Sequence, residues 1–105
     1  MKINIINTTT DSEKTARHIA DYLVKEKLSP CVQIVKDIES IYTWCGKLNN
    51  SREYLMIIKT IPEHLLECKK IILELHNYDI PEIIITEGKI LDDTYKEWFR
   101  GNITY

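Results

Sequence analysis

The chain has 105 residues, 44% hydrophobic and 29% charged, which is ordinary usage for one packed domain and excludes disordered, collagen-like and disulfide-scaffold classes. Its 14 Lys and Arg against 16 Asp and Glu leave a formal charge of -2, without the basic footprint of a protein that grips a nucleic-acid backbone. No apolar stretch approaches the ~18–20 residues of a membrane span. Met1 to Asp11 alternates rather than running apolar like a secretory signal, so a cytoplasmic protein with no membrane insertion is expected.

Lys2 to Thr8 alternates apolar and polar side chains and predicts a first strand. Thr10 and Glu13 have capping-box spacing, and Ala16, Ile19, Ala20, Leu23 and Val24 then recur at helical intervals, giving a helix that ends near Leu28. Ser29-Pro30 forbids its continuation, since proline lacks an amide donor and pushes its predecessor out of helical geometry. From Cys31 to Trp44 the apolar spacing fits a long strand that slips once, predicting a bulge near Lys36–Glu39. Gly46 and Asn49-Asn50-Ser51 mark a turn region, and Tyr54 to Ile58 reads as a central strand buried on both faces, completing a long hairpin.

Thr60-Ile61-Pro62-Glu63 repeats the capping-box spacing, and Leu65, Cys68, Ile72 and Leu75 form the stripe of a second helix ending at His76-Asn77. After Pro81, the segment Glu82 to Thr86 predicts a fourth strand whose three isoleucines argue for burial. Leu91, Tyr95, Trp98 and Phe99 predict a short closing helix before Gly101. The order β-α-β-β-α-β plus a terminal helix is that of an α+β, ferredoxin-like antiparallel sheet covered on one face by two helices, forming one domain over residues 1–105. That fold hosts many functions, so the chemistry has to come from individual residues.

Cys31, Cys45 and Cys68 are an odd number at wide spacings, which fits reduced thiols better than disulfides or a closed zinc site. His76 at a helix C-terminus suits either an imidazolium interacting with the dipole or a metal ligand, and Cys31 is a chemically sensible copper partner for it if the fold or a neighbouring subunit brings them together. Lys59 ends an apolar strand and suits a functional cleft, with Glu82 placed to accept from Lys59 or Tyr78. Asp79 reads as a local turn acceptor. Tyr42 and Trp44, large aromatics on an edge strand, invite intersubunit pairing; the alternative is local packing under the third helix. No metal-hydrolase motif, nucleophile elbow, phosphate loop or dinucleotide fingerprint is present, and no enzyme is expected.

Four segments together resemble the CutA family: Lys27-Leu28-x-x-Cys31-Val32, Ser40-Ile41-Tyr42-x-Trp44-x-Gly46-Lys47, Ile57-Ile58-Lys59-Thr60, and His76-x-Tyr78-Asp79-x-Pro81-Glu82-Ile83, with Tyr95 and Trp98-Phe99 resembling the family's closing helix. The resemblance implies a homotrimer and a role in tolerance of divalent cations. Copper or a related ion would be held in intersubunit clefts lined by Cys31, Trp44, Lys59, His76, Tyr78 and Glu82, with no cofactor required. The alternative it leaves is a signalling or scaffold module that binds a small anionic metabolite or partner protein in the same clefts. The sequence departs from the family pattern at Ser29-Pro30, Cys45 and Asn77. Of the three ligands of a copper site known in the family, the positions here are Thr8, Leu75 and His76, so one is retained.

Overall fold

The computed structural model describes residues 1–105 and consists of four strands and three α-helices: β1 (Lys2–Thr10), α1 (Glu13–Lys25), β2 (Cys31–Trp44), β3 (Lys47–Thr60), α2 (Leu65–Leu75), β4 (Ile84–Lys89) and α3 (Asp93–Gly101), with a 3-10 turn at Pro62–His64. The sheet order is β2-β3-β1-β4, and every neighbouring pair is antiparallel. This is the α+β arrangement expected from the element order. No helix is long and apolar enough to cross a membrane.

Alternation along the strands divides the sheet into two unlike faces. Ile6, Met56 and Ile58 point to the helices and pack with Ala16, Ile19 and Leu23 of α1 and Cys68, Ile71 and Ile72 of α2, all buried. The opposite face carries Ile5, Leu55 and Ile57, each half-buried, together with the exposed Val35 and Ile84. Only one end of it is covered, where Phe99 and Ile103 pack on Ile3 and Ile61.

Several boundaries differ from expectation. The cap of α1 is Ser12, whose hydroxyl accepts from the Thr15 amide, while Thr10 turns inward to other partners. The helix ends before Ser29-Pro30, at a Schellman motif: Lys27 takes a left-handed φ of 56°, its amide bonds to the Val24 carbonyl, and the Leu28 amide to that of Leu23. A lysine in the place usually held by glycine hid this stop from sequence reading. Thr60 caps nothing; its hydroxyl donates to the Leu28 carbonyl at 2.7 Å, and Ile61 precedes the 3-10 turn without a side-chain cap.

The bulge falls between Val35 and Ile38, around Asp37 with φ 64°, as the slipped spacing predicts. The hairpin turn is shorter than expected. Cys45 and Gly46 both have positive φ, 52° and 74°, which is the two-residue turn whose twist matches a hairpin, so Asn49 to Ser51 remain in the ladder opposite Tyr42, Ile41 and Ser40. β4 is an edge strand, and none of the three isoleucines expected to be buried is: Ile83, just before the strand, is half-buried, and Ile84 is 53% and Ile85 51% exposed.

Candidate functional site: an acidic, aromatic groove

The long hairpin extends the molecule to 47 Å along one axis against 25 and 21 Å along the others. Between the hairpin and the α2–β4 loop lies a groove of about 590 Å³, with Ser40, Ile41, Tyr42, Trp44, Ser51 and Glu53 on one side. Thr9 and Asp11 at the end of β1, and Tyr78, Asp79, Ile80 and Glu82 of the loop, complete it.

The loop is fastened to the strands by side-chain hydrogen bonds. The His76 amide closes α2 on the Ile72 carbonyl, and its ring then bridges two segments: Nε2 lies 2.9 Å from the Thr9 carbonyl and Nδ1 accepts from the Tyr78 amide at 3.0 Å. Because a backbone N–H can only donate, Nδ1 must be the acceptor, and Nε2 therefore carries the proton and donates to Thr9. Asn77 adds two bonds, accepting from the Thr10 hydroxyl and donating to Asp11 at 2.7 Å. Tyr78 stacks on His76 with ring centroids 4.9 Å apart, and its hydroxyl donates to Glu53 Oε2 at 2.6 Å. Burial, followed by the adjacent Glu53 carboxylate, pushes the Tyr78 phenol well above its ordinary value.

The expected site residues therefore separate. Trp44, Tyr78 and Glu82 line one groove with Tyr42. Lys59 does not join them: it pairs across the sheet with Cys31 on one side and Ile5 on the other, four residues along β1 from the Thr9 level of the groove. Glu82 accepts from neither Lys59 nor Tyr78, since the tyrosine is taken by Glu53, a residue that sequence reading missed because its charge gave no sign of burial. Asp79, expected to serve as a turn acceptor, lines the groove. Tyr42 and Trp44 are 43% and 54% exposed and do not pack under α3, whose buried contacts are at Ile3 and Ile61.

Cys31 and His76 are not brought together within one chain. Cys31 is level with Ile5 through Lys59, whereas His76 is bonded to Thr9, four residues further along β1 and so roughly 13 Å away along the strand. Both His76 nitrogens are already hydrogen-bonded, so a metal at either would displace a backbone contact. No three His, Cys, Asp or Glu side chains of the chain converge closely enough to hold an ion. The residues of the chain thus do not fit a closed metal site. Nor does the groove resemble an anion site: Asp11, Glu53, Asp79 and Glu82 line it and no lysine or arginine does.

Comparison with known proteins gives this geometry a family. A family model described as CutA1 divalent ion tolerance protein matches residues 4–102. The divalent-cation tolerance protein CutA of Thermus thermophilus is 38% identical over 101 residues, covering 93% of this chain and 95% of that protein. Protein CutA of Arabidopsis thaliana, named chloroplastic, is 37% identical over 101 residues, but the chain spans only 54% of its length. Among solved structures, the divalent cation tolerance protein Cut A1 of Thermus thermophilus superposes with a TM-score of 0.90 at 35% identity, covering 99% of this chain and all of that one. CutA1 of Oryza sativa superposes with a TM-score of 0.92 at 32% identity over 99% of this chain and 95% of that one. Where these names describe a role it is cation tolerance and none describes a reaction, and the chain belongs to the CutA1 divalent ion tolerance family.

Proposed function

We propose that the chain works as a cytoplasmic homotrimer, contributing to divalent-cation tolerance through sites at the subunit junctions rather than through catalysis. The observation that carries the trimer is the half of the sheet left without helices. Ile5, Leu55 and Ile57 there are only half-buried, Val35 and Ile84 are 41% and 53% exposed, and the same chain presents Tyr42 and Trp44 on an edge strand. An apolar sheet face beside an unpaired aromatic edge is a surface that association in a closed ring would cover.

Copper or a related divalent ion is the ligand class of this reading. A single chain offers Cys31 on the helix-free face and His76 at the other end of β1, so a site using both draws its donors from different subunits. An anionic metabolite is the weaker alternative, because carboxylates without basic partners line the groove. Light scattering with and without stoichiometric copper under reducing conditions tests the reading, with a mass of three chains expected in both. Val35→Glu and Ile84→Glu, both at exposed positions in one subunit, should lower that mass while leaving the subunit folded. A wild-type monomer would overturn the trimer. Isothermal titration giving no heat with copper(I), copper(II) or zinc would remove the metal reading and leave the trimer standing.

A further inference from the structure

We infer that in this chain the closed Tyr78–Glu82 loop and a metal ion at His76 exclude one another, because both need the one lone pair of the imidazole. The inference rests on the proposed use of His76 as a metal donor and adds what regulates it: the histidine is free to coordinate only when the loop has let go.

A neutral imidazole has one N–H and one lone pair. In His76 both are engaged by backbone groups whose roles are fixed. The Tyr78 amide, which can only donate, holds the lone pair at Nδ1 from 3.0 Å, and the Thr9 carbonyl, which can only accept, receives the Nε2 proton at 2.9 Å. A metal at Nδ1 takes the lone pair directly and strands the Tyr78 amide, while Nε2 keeps its bond to Thr9. A metal at Nε2 needs the lone pair there, so the ring proton moves to Nδ1, where an N–H then faces the N–H of Tyr78, and the Thr9 bond is lost as well. Either nitrogen therefore costs the Tyr78 amide its acceptor. No backbone carbonyl stands in, since His76 Nδ1 is the one partner this amide has. The Nδ1 route breaks one bond and the Nε2 route two, which favours Nδ1 as the coordinating atom.

The remaining contacts define what yields. Asn77 is fastened apart from the imidazole, accepting from the Thr10 hydroxyl and donating to Asp11 at 2.7 Å, so the chain stays anchored up to that residue. Tyr78 is the first residue whose backbone is held by His76; its ring lies on the imidazole with centroids 4.9 Å apart, and its hydroxyl donates to Glu53 Oε2 on β3 at 2.6 Å. A metal on Nδ1 enters at the place now taken by the Tyr78 amide and displaces the residue that carries the loop's bond to β3. The Tyr78–Glu53 bond thus withholds His76 from a metal although it touches neither nitrogen. A site whose competent form is a minor population binds with an affinity reduced by that fraction, so whatever loosens the loop must strengthen the metal, and the metal must loosen the loop to the same extent.

Zinc(II), a diamagnetic ion suited to imidazole, is the probe, with isothermal titration and amide hydrogen exchange followed by NMR on the full chain. Tyr78→Phe removes the bond to Glu53 and leaves the imidazole intact; it should bind zinc about threefold tighter than wild type, or more. Saturating zinc should speed exchange of the wild-type Tyr78 amide by about tenfold or more. His76→Asn places Oδ1 where it accepts from the amide two residues on and so keeps the loop shut without an imidazole. That variant should lose zinc binding, and its Tyr78 amide should exchange at one rate with and without zinc. Equal or weaker zinc binding in Tyr78→Phe would overturn the exclusion while leaving His76 a donor. So would zinc that is lost in His76→Asn yet leaves exchange of the wild-type Tyr78 amide unchanged. Zinc binding unaltered by His76→Asn, or absent from both wild type and Tyr78→Phe, would overturn the use of His76 as a donor and the inference with it.

Discussion

Removing one oxygen atom from Tyr78 should loosen the loop that forms one wall of the groove. In Tyr78→Phe the ring can still stack on His76, and the bond that the Tyr78 amide donates to His76 Nδ1 does not involve the phenol and survives. What is lost is the 2.6 Å bond to Glu53 Oε2, the carboxylate's sole hydrogen bond, at a residue only 6% exposed. A hydrogen bond to a charged group contributes about 1.5–3 kcal/mol, and leaving a buried acceptor unsatisfied places the loss toward the upper part of that range, so about 2 kcal/mol is expected. Urea unfolding at fixed protein concentration measures it, since the proposed trimer would make the midpoint concentration-dependent. A double-mutant cycle with Glu53→Gln isolates the pair, because in the glutamine background the hydroxyl meets a neutral acceptor. A coupling of about 1 kcal/mol or more is expected. Additivity within about 0.5 kcal/mol would show that the two side chains do not support one another and would refute the account of how the wall is held.

The same pair sets a pH response. Tyr78 has its pKa raised in the folded state, so the unfolded chain releases this proton at lower pH than the folded one does. Its contribution is complete below the ordinary phenol value of about 10 and is lost as pH rises from there toward the folded value; urea midpoints should fall over that alkaline range in the wild type and fall less in Tyr78→Phe. Lys27→Gly should stabilise the chain by about 1 kcal/mol in thermal or urea melts, because the residue sits at φ 56° and its carbonyl bonds, to the Thr104 amide and hydroxyl, do not involve the lysine side chain. Thiol labelling of the native protein should begin at the exposed Cys45 and reach Cys68 only on unfolding, since Cys68 is fully buried and burial pushes its thiol up. Rapid modification of Cys68 under native conditions would contradict its place in the core. Cys45→Asn should preserve or slightly raise stability, asparagine being better suited to φ 52° in a two-residue turn.

What the sequence disclosed and what it withheld follow from the range of the interactions. Periodicity is local, so the strands and helices could be placed from it, and even the slip near Asp37 showed as a break in alternation before it became a left-handed residue in β2. End signals were less reliable wherever a side chain had a better distant partner. Thr10 and Thr60 both stand three residues before a glutamate, yet Thr10 is claimed by Asn77 and Thr60 by the carbonyl of Leu28, contacts spanning 67 and 32 residues. β4 misled for a related reason: consecutive isoleucines argue for burial on both faces, but in one subunit the strand lies at an edge where helices cover little of it. The apolar pattern registers what a partner would cover as well as what the chain covers itself.

The site obeys the same logic. Tyr42, Trp44, Tyr78 and Glu82 were legible as functional candidates and do line one groove, but Lys59 and Cys31 lie further along the sheet, level with Ile5 rather than Thr9. Sequence neighbourhood cannot say which end of a sheet a strand residue occupies until the register is known. Glu53 was the residue least open to sequence reading, because a lone glutamate before an apolar strand looks like solvent-facing punctuation. Only the fold reveals that Tyr78 comes to it across 25 residues and that His76, with one nitrogen on Thr9 and the other on the Tyr78 amide, holds that tyrosine in place. His76 is in that sense a structural clamp of the groove, and its replacement by alanine should perturb whatever binds there without the histidine being a ligand. Copper affinities measured on His76→Ala and on Tyr78→Phe separate the two roles. A clamp predicts that both variants weaken copper binding through the groove's geometry, whereas a copper ligand predicts that His76→Ala alone abolishes it.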